Sequence, residues 1–174
     1  MPIQGLFGLS VAFGFIAWAV VTANYIWPQL HNRPRNEALR PMLILHSFRF
    51  VGLAFLVPGV ISPDLPSAFG VAAGYGDVVA AVLALLALTA LRTKFGIPMV
   101  WAFNIWGSAD LLNAFYQGNA SGLIAGQLGA AYFIPTTIVP LILIMHALIF
   151  QLLLQRDPIT ARDGYDVVRA RMER

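Results

Sequence analysis

The run from Gly5 to Pro28 contains no charged side chain and is mostly apolar. A transmembrane helix needs about 20 predominantly apolar residues, so this segment alone is long enough to cross a bilayer. Comparable runs follow along the chain, and only 11% of all residues are charged, against roughly a quarter in an average soluble domain. These features exclude a water-soluble globular fold and a disordered chain, and they indicate an integral membrane protein.

Five segments are apolar and long enough, or nearly so, to span the membrane: residues 5–28, 41–61, 77–91, 98–117 and 134–155. Two further apolar stretches, 62–76 and 118–133, are too short to span and predict outer interfacial or re-entrant half-helices. The sequence therefore predicts an all-α fold, a five-helix transmembrane bundle with two short outer half-helices, over residues 1–155. Residues 156–174 are predicted to be a cytoplasmic tail.

Basic residues are confined to one side of this predicted bundle. Of the 11, only Arg49 lies inside a span, and the others lie in the first and third connections or in the tail. Because Lys and Arg accumulate on the cytoplasmic side, we expect a multi-pass membrane protein with its N-terminus outside and its C-terminus in the cytoplasm. The net charge of +3 then reflects the Lys and Arg that set the membrane topology, and it does not indicate nucleic-acid binding. The expected partner is the lipid bilayer.

Four ionisable side chains lie within the predicted spans: His46, Arg49, Asp110 and His146. Each costs at least about 2.5 to 3.5 kcal/mol to insert, so such residues usually mark functional sites. Counted along the helices at about 1.5 Å per residue, Arg49 and Asp110 differ in depth by about 6 Å, which an arginine side chain covers. We therefore predict an Arg49–Asp110 ion pair, the only one inside the spans. All four groups are expected to converge in a cavity in the inner leaflet.

Span four adds amide side chains to this set. Asn113 falls on the same helical face as Asp110, whereas Asn104 lies on the opposite face, so the helix is polar on two sides. Such a cavity suits a small amphiphilic ligand, quinone- or lipid-like, whose carbonyl or anionic group Arg49 would bind. The predicted ligand-binding residues are His46, Arg49, Asn104, Asp110, Asn113 and His146. The alternative is that the ion pair only fixes helix register and that the histidines bond to neighbouring groups.

A b-type haem is a second interpretation, because His46 and His146 on facing helices could provide its two axial ligands. No other cofactor is indicated. The chain has no cysteine, and a zinc site needs more ligands than these spans offer. No serine lies in a nucleophile elbow and no pair of carboxylates is spaced for hydrolysis, so the sequence leans against an enzyme.

Two glycine-containing motifs suggest the remaining alternatives, a cation channel and a structural subunit. Gly74-Tyr75-Gly76-Asp77 matches the end of a potassium-channel filter, but Ala72-Ala73 stands where that family has Thr-Val. The simpler explanation is that Asp77 is the N-cap of span three. Glycines spaced by four could form a smooth helical stripe for partner helices or for a homo-oligomer: Gly118, Gly122 and Gly126. Loop flexibility is the alternative explanation of these glycines.

Four stretches in this order resemble a family of small bacterial polytopic membrane proteins, an uncharacterised family with about five spans. They are Leu45–Gly52, Ala72–Asp77, Asn104–Gly107 with Asp110-Leu111, and Val139-Pro140 with Met145-His146. The resemblance covers roughly residues 41–154. It implies a helical bundle in a bacterial inner membrane, where the N-terminus would be periplasmic and the C-terminus cytoplasmic, and it brings no assigned activity.

Overall fold

The computed structural model describes residues 2–155, which form five long helices with local π-helical and 3-10 stretches. Helix α1 spans Ile3–Leu30, α2 spans Arg35–Leu56, α3 spans Ser67–Ala90, α4 spans Gly96–Ala120 and α5 spans Ile134–Leu154. A short 3-10 helix, Ala125–Tyr132, lies between α4 and α5. No strand occurs in this part of the chain, so the predicted all-α bundle is confirmed. The predicted tail, 156–174, lies outside the described residues.

Four of the helices, α1, α2, α3 and α5, are long and apolar enough to cross a membrane. Helix α4 has 25 residues, which is sufficient length for a span. Its amide and carboxylate side chains, among them Asn104, Asp110 and Asn113, lower its hydropathy. The fold is therefore that of a membrane protein, whereas five crossings, the inner membrane and the orientation stay predictions.

The helices alternate in direction, which gives the bundle two chemically different ends. The end formed by the connections 31–34 and 91–95 carries Arg and Lys, and we call it the arginine-rich end. The opposite end, formed by the start of α1 and by residues 57–66 and 121–133, has no Lys or Arg, and we call it the arginine-free end. Hydrogen bonds tie the arginine-free end together, for example from the Ser62 N–H to the Gln127 carbonyl at 3.0 Å.

Two apolar cores fill the two halves of the bundle. The core at the arginine-rich half is tightly packed and includes Leu39, Leu43, Phe103 and Ile149, all fully buried. Small residues on α3 allow its neighbours to approach closely there: Ala80, Ala84 and Ala87. The core at the arginine-free half is built from larger aromatic side chains and surrounds a cavity described below.

Helix α3 begins ten residues earlier than predicted, at Ser67 rather than Asp77. The stretch from Ser67 to Gly76 is uncharged and apolar, so it continues the span instead of forming a separate half-helix. Asp77 therefore lies near the middle of α3 and is not its N-cap. The backbone from Gly74 to Asp77 is α-helical, so its carbonyls bond within the helix and do not form an ion filter.

Helix α2 ends at Leu56, earlier than the predicted boundary at residue 61, because Pro58 and Gly59, with a φ of 85°, follow it. The predicted glycine stripe is also wrong. Helix α4 ends at Ala120, and Gly122 has a φ of 66° that only a turn accommodates easily. The three glycines of that stripe therefore do not share a helical face. The remainder of 118–133 forms the predicted second short element, as the 3-10 helix Ala125–Tyr132.

A proline in α5 explains how α1 attaches to the bundle. Pro140 has no N–H for the carbonyl four residues earlier, and a π-helical stretch over Ile134–Ile138 widens the turns before it. Gly14 of α1 packs against that carbonyl, and the Trp18 indole N–H donates to the Thr137 carbonyl at 2.9 Å. Because lipid provides no alternative donor, these contacts favour docking of α1 on α5.

Candidate functional site

The second half of α2 places a row of side chains in the centre of the bundle. Residues Ser47–Leu56 form a 3-10 helix of 10 residues, whereas most 3-10 runs are shorter than about five residues. Three residues per turn bring side chains at spacing three onto one line, and the four in this row are buried: His46, Arg49, Gly52 and Phe55. The 3-10 geometry thus keeps Arg49 directed at the interior rather than at lipid.

Arg49 binds two carboxylates, one from α3 and one from α4. Asp77 Oδ1 lies 2.7 Å from both Nε and Nη2 of Arg49. Asp110 Oδ2 lies 2.6 Å from Nη2. The structure therefore contains the predicted contact between Arg49 and Asp110. It corrects the prediction that this is the only ion pair within the spans, because Asp77 is a second partner.

The remaining donors of Arg49 contact α4 and α5. Its Nη1 donates to the Gly107 carbonyl at 3.1 Å and lies 3.4 Å from His146 Nε2. Asn104 fixes the histidine tautomer: its amide N–H donates to the His146 carbonyl at 3.2 Å, so its Oδ1 faces the ring Nδ1 at 2.6 Å. Since Oδ1 only accepts, Nδ1 carries the ring proton and Nε2 is free to accept from Arg49. Each of the three nitrogens of the Arg49 guanidinium therefore has at least one acceptor within the bundle.

Arg49 and its side-chain partners form a buried network, whose other members are Asp77, Asn104, Asp110 and His146. Three glycines, one each on α2, α3 and α4, leave room for this buried network. A Cβ on Gly107 would lie 2.6 Å from the His146 ring and 2.8 Å from Arg49 Nη1. A Cβ on Gly52 or Gly76 would collide with one of the two carboxylates. Close approach of backbone to these short, buried side chains therefore requires glycine at all three positions.

His46, unlike Arg49 in the same row, has no polar partner among the described residues. Its ring is fully buried, with its centroid 4.2 Å from that of His146 and 5.0 Å from that of Phe103. Neither of its nitrogens has a hydrogen-bond partner in the described part of the chain. The rings of His46 and His146 touch, so a porphyrin plane with its iron has no space between them as a bis-histidine haem requires.

A cavity of about 370 Å³ lies on the arginine-free side of the charged network. Its wall is mainly apolar and also includes Gln4, near the start of α1, and Asn119, near the end of α4. Its base is formed by the carboxylates of Asp77 and Asp110, whose side chains are only 10% and 9% exposed. The apolar wall includes Phe7, Phe55, Phe69, Ala114, Phe115 and Leu128.

Of the six residues predicted to bind ligand, only Asp110 lines this cavity. The structure brings His46, Arg49, Asn104 and His146 together with it, but behind the carboxylates. Asn113 is separate from this network, because it is exposed on α4. No group of three or more metal-ligating side chains is found among residues 2–155.

The position of the cavity also differs from the prediction of an inner-leaflet site. The predicted depths were counted from the predicted starts of spans two and four, at residues 41 and 98, but α2 already begins at Arg35, which places Arg49 deeper in the bundle. The packed core containing Leu39 and Leu43 occupies the arginine-rich half instead. With the predicted orientation, the cavity would lie in the outer half of the bilayer.

The sequence argument missed Asp77 as a member of this network. Treating Gly76-Asp77 as a turn left a third span of only 15 residues, which is shorter than the bilayer thickness requires. Extending that span backwards through the uncharged stretch from Ser67 gives the 24 residues observed. The short predicted span was therefore the signal that Asp77 belongs inside the helix.

Residues 6–154 match a protein family described as Domain of unknown function (DUF8737). The chain belongs to this family. The match covers all but the ends of the described chain and includes the whole Arg49 network, and it agrees with the predicted resemblance to an uncharacterised family. No curated protein and no solved structure shows a significant match to the chain. The function must therefore be argued from the site itself.

Proposed function

We propose that the protein binds a small amphiphilic molecule inside the bundle, in the cavity whose base is formed by Asp77 and Asp110. The observation that carries this proposal is a chemically divided cavity, with aromatic and aliphatic walls and two carboxylates at one end. Its volume of about 370 Å³ lies within the range of small-molecule sites, about 300 to 1,000 Å³. A ligand with an apolar body and a polar head matches both parts.

The surroundings of the cavity favour binding as the basic activity. The cavity reaches the arginine-free end near Gln4 and Asn119, whereas the packed core closes the other half of the bundle. Movement of the ligand across the membrane would require that core to separate. Transport is therefore a possible use of the same site, and ligand binding is the step that either use requires.

A pair of matched variants on α4 tests this proposal. Ala114 lines the cavity and Ala102 is exposed on the same helix, so Ala114→Phe should fill the site and Ala102→Phe should leave it open. Wild type and both variants would be purified from membranes in a neutral detergent, and bound small molecules would be extracted and identified by mass spectrometry.

We expect at least one small amphiphile to be enriched with wild type and with Ala102→Phe, and to be lost from Ala114→Phe. All three proteins should remain folded by circular dichroism. Equal recovery of every extracted species from the three proteins would contradict binding in this cavity.

A further inference from the structure

We propose that the cavity selects a ligand with a positively charged head group, such as a protonated primary amine attached to an apolar or aromatic body. This inference rests on the proposed function and specifies its ligand class. It differs from the quinone- or lipid-like ligand that the sequence suggests, because Arg49, which was expected to bind the carbonyl or anionic group of such a ligand, does not line the cavity.

The charge of the buried network favours a cationic ligand. Arg49 is the only cation in it, and it is shared between Asp77 and Asp110. His146 is neutral in the tautomer that Asn104 imposes, and His46 has no hydrogen-bond partner among the described residues. With both carboxylates ionised the network has one negative charge in excess, and a buried excess charge is costly unless another group compensates it.

The polar groups of the cavity lining also favour a cationic head group. Each carboxylate uses one oxygen for Arg49, and neither Asp77 Oδ2 nor Asp110 Oδ1 accepts a hydrogen bond from any described residue. Arg49 itself does not line the cavity, and neither does any other Lys or Arg of residues 2–155. The cavity is thus lined by two carboxylate side chains and by no described basic residue, which suits an ammonium with its three N–H groups and repels a carboxylate or phosphate.

The aromatic wall of the cavity suits the same class of ligand. Four phenylalanine side chains line the cavity: Phe7, Phe55, Phe69 and Phe115. Aromatic faces attract a cation that lies over the ring, and they pack well against an aromatic or aliphatic body. An amine-bearing amphiphile therefore finds complementary partners at both of its ends.

Three probes that differ only in the head group test this selectivity: 4-phenylbutylamine, 4-phenylbutanol and 4-phenylbutyrate. Each would be titrated at pH 7 into the full-length protein in a neutral maltoside detergent, with the thermal unfolding midpoint as the readout. The Ala114→Phe variant, whose cavity is filled, corrects for partition of the probes into detergent. We expect a saturable stabilisation by the amine, at least tenfold weaker apparent affinity for the alcohol, and none for the acid.

Asp110→Asn and Asp77→Asn each remove the excess negative charge while preserving side-chain shape. We expect either substitution to weaken amine binding at least tenfold and to leave alcohol binding within about twofold, which a general loss of structure would not do.

Equal or stronger binding of the acid by wild type would overturn the inference, even if neither variant folds. If wild type binds all three probes with the same affinity and Ala114→Phe binds none of them, the charge selectivity would be refuted and the proposed function would be retained. Binding of none of the probes would overturn the amine inference, while retention of an extracted amphiphile would still support the cavity.

Discussion

Removal of Arg49 should destabilise the protein far more than removal of either carboxylate that it binds. In Arg49→Met the carboxylates of Asp77 and Asp110 lose their shared counter-ion. Since both contact the same Nη2, at 2.7 and 2.6 Å, their nearest oxygens are at most about 5 Å apart. At an effective dielectric constant of about 20 this gives a repulsion of about 3 kcal/mol, in line with about 3 to 5 kcal/mol for breaking a buried ion pair.

Asp110→Asn acts in the opposite direction on the charge balance. It leaves Arg49 paired with Asp77 in a neutral network, and the asparagine oxygen can still accept from Nη2. We therefore expect a loss of only about 1 kcal/mol, the net value of one hydrogen bond. In the triple variant Arg49→Met/Asp77→Asn/Asp110→Asn no charge remains, and at least half of the loss caused by Arg49→Met should be recovered.

The assay is unfolding by SDS in mixed micelles, followed by tryptophan fluorescence and evaluated as a free energy of unfolding. The comparison uses the order of the variants, so it does not depend on the absolute value extrapolated to zero SDS. The reasoning is refuted if Arg49→Met costs no more than Asp110→Asn, or if the triple variant is less stable than Arg49→Met.

The same assay and a topology reporter check four further predictions. Gly107→Ala should cost about 1 to 3 kcal/mol through overpacking, whereas Gly8→Ala, with no heavy atom within 4 Å of the added Cβ, should be neutral or stabilise by up to about 1 kcal/mol; equal effects would contradict the close packing. His46→Leu should be at least as stable as wild type, because a buried polar group without a partner costs about 1 to 3 kcal/mol, and a clear loss would indicate a partner such as a bound water. Trp18→Phe should lose about 0.5 to 1.5 kcal/mol with its bond to the α5 backbone, and no loss would mean that this bond does not hold α1. A reporter that works only in the cytoplasm should be active when it is fused to the C-terminus, and a reporter that works only in the periplasm should be inactive there. Activity of the periplasmic reporter would contradict the predicted orientation.

The sequence was sufficient for the helical class and for part of the charged network. Long, continuously apolar runs indicate helices in lipid, because a helix satisfies every backbone N–H and C=O group within its own segment. Arg49 and Asp110 could be paired from their depths alone, since an intramembrane charge needs a partner and few partners were available. The approach of His146 to His46 followed from the same counting of depth.

Other parts depended on features that periodicity does not reveal. The 3-10 geometry of Ser47–Leu56 has no clear signature in the sequence, yet it determines which way Arg49 points. Gly76-Asp77 has the composition of a turn, and only the length of α3 shows that it is helical. The location of the cavity depends on how large and small side chains fill each half of the bundle, and that requires the three-dimensional packing of all five helices.

Access of a charged reagent to the cavity wall is the most direct test of the central claim, that a cation-selective ligand site lies above Asp77 and Asp110. The chain contains no cysteine, so Ala114→Cys introduces a single thiol into the wall and Ala102→Cys provides a control on the outer face of α4. In lipid nanodiscs, Ala114→Cys should react faster with 2-aminoethyl methanethiosulfonate than with its 2-sulfonatoethyl analogue, relative to a free thiol in solution, and 4-phenylbutylamine should slow the reaction. No reaction at Ala114→Cys, or a reaction that neither depends on reagent charge nor is slowed by the amine, would contradict the account.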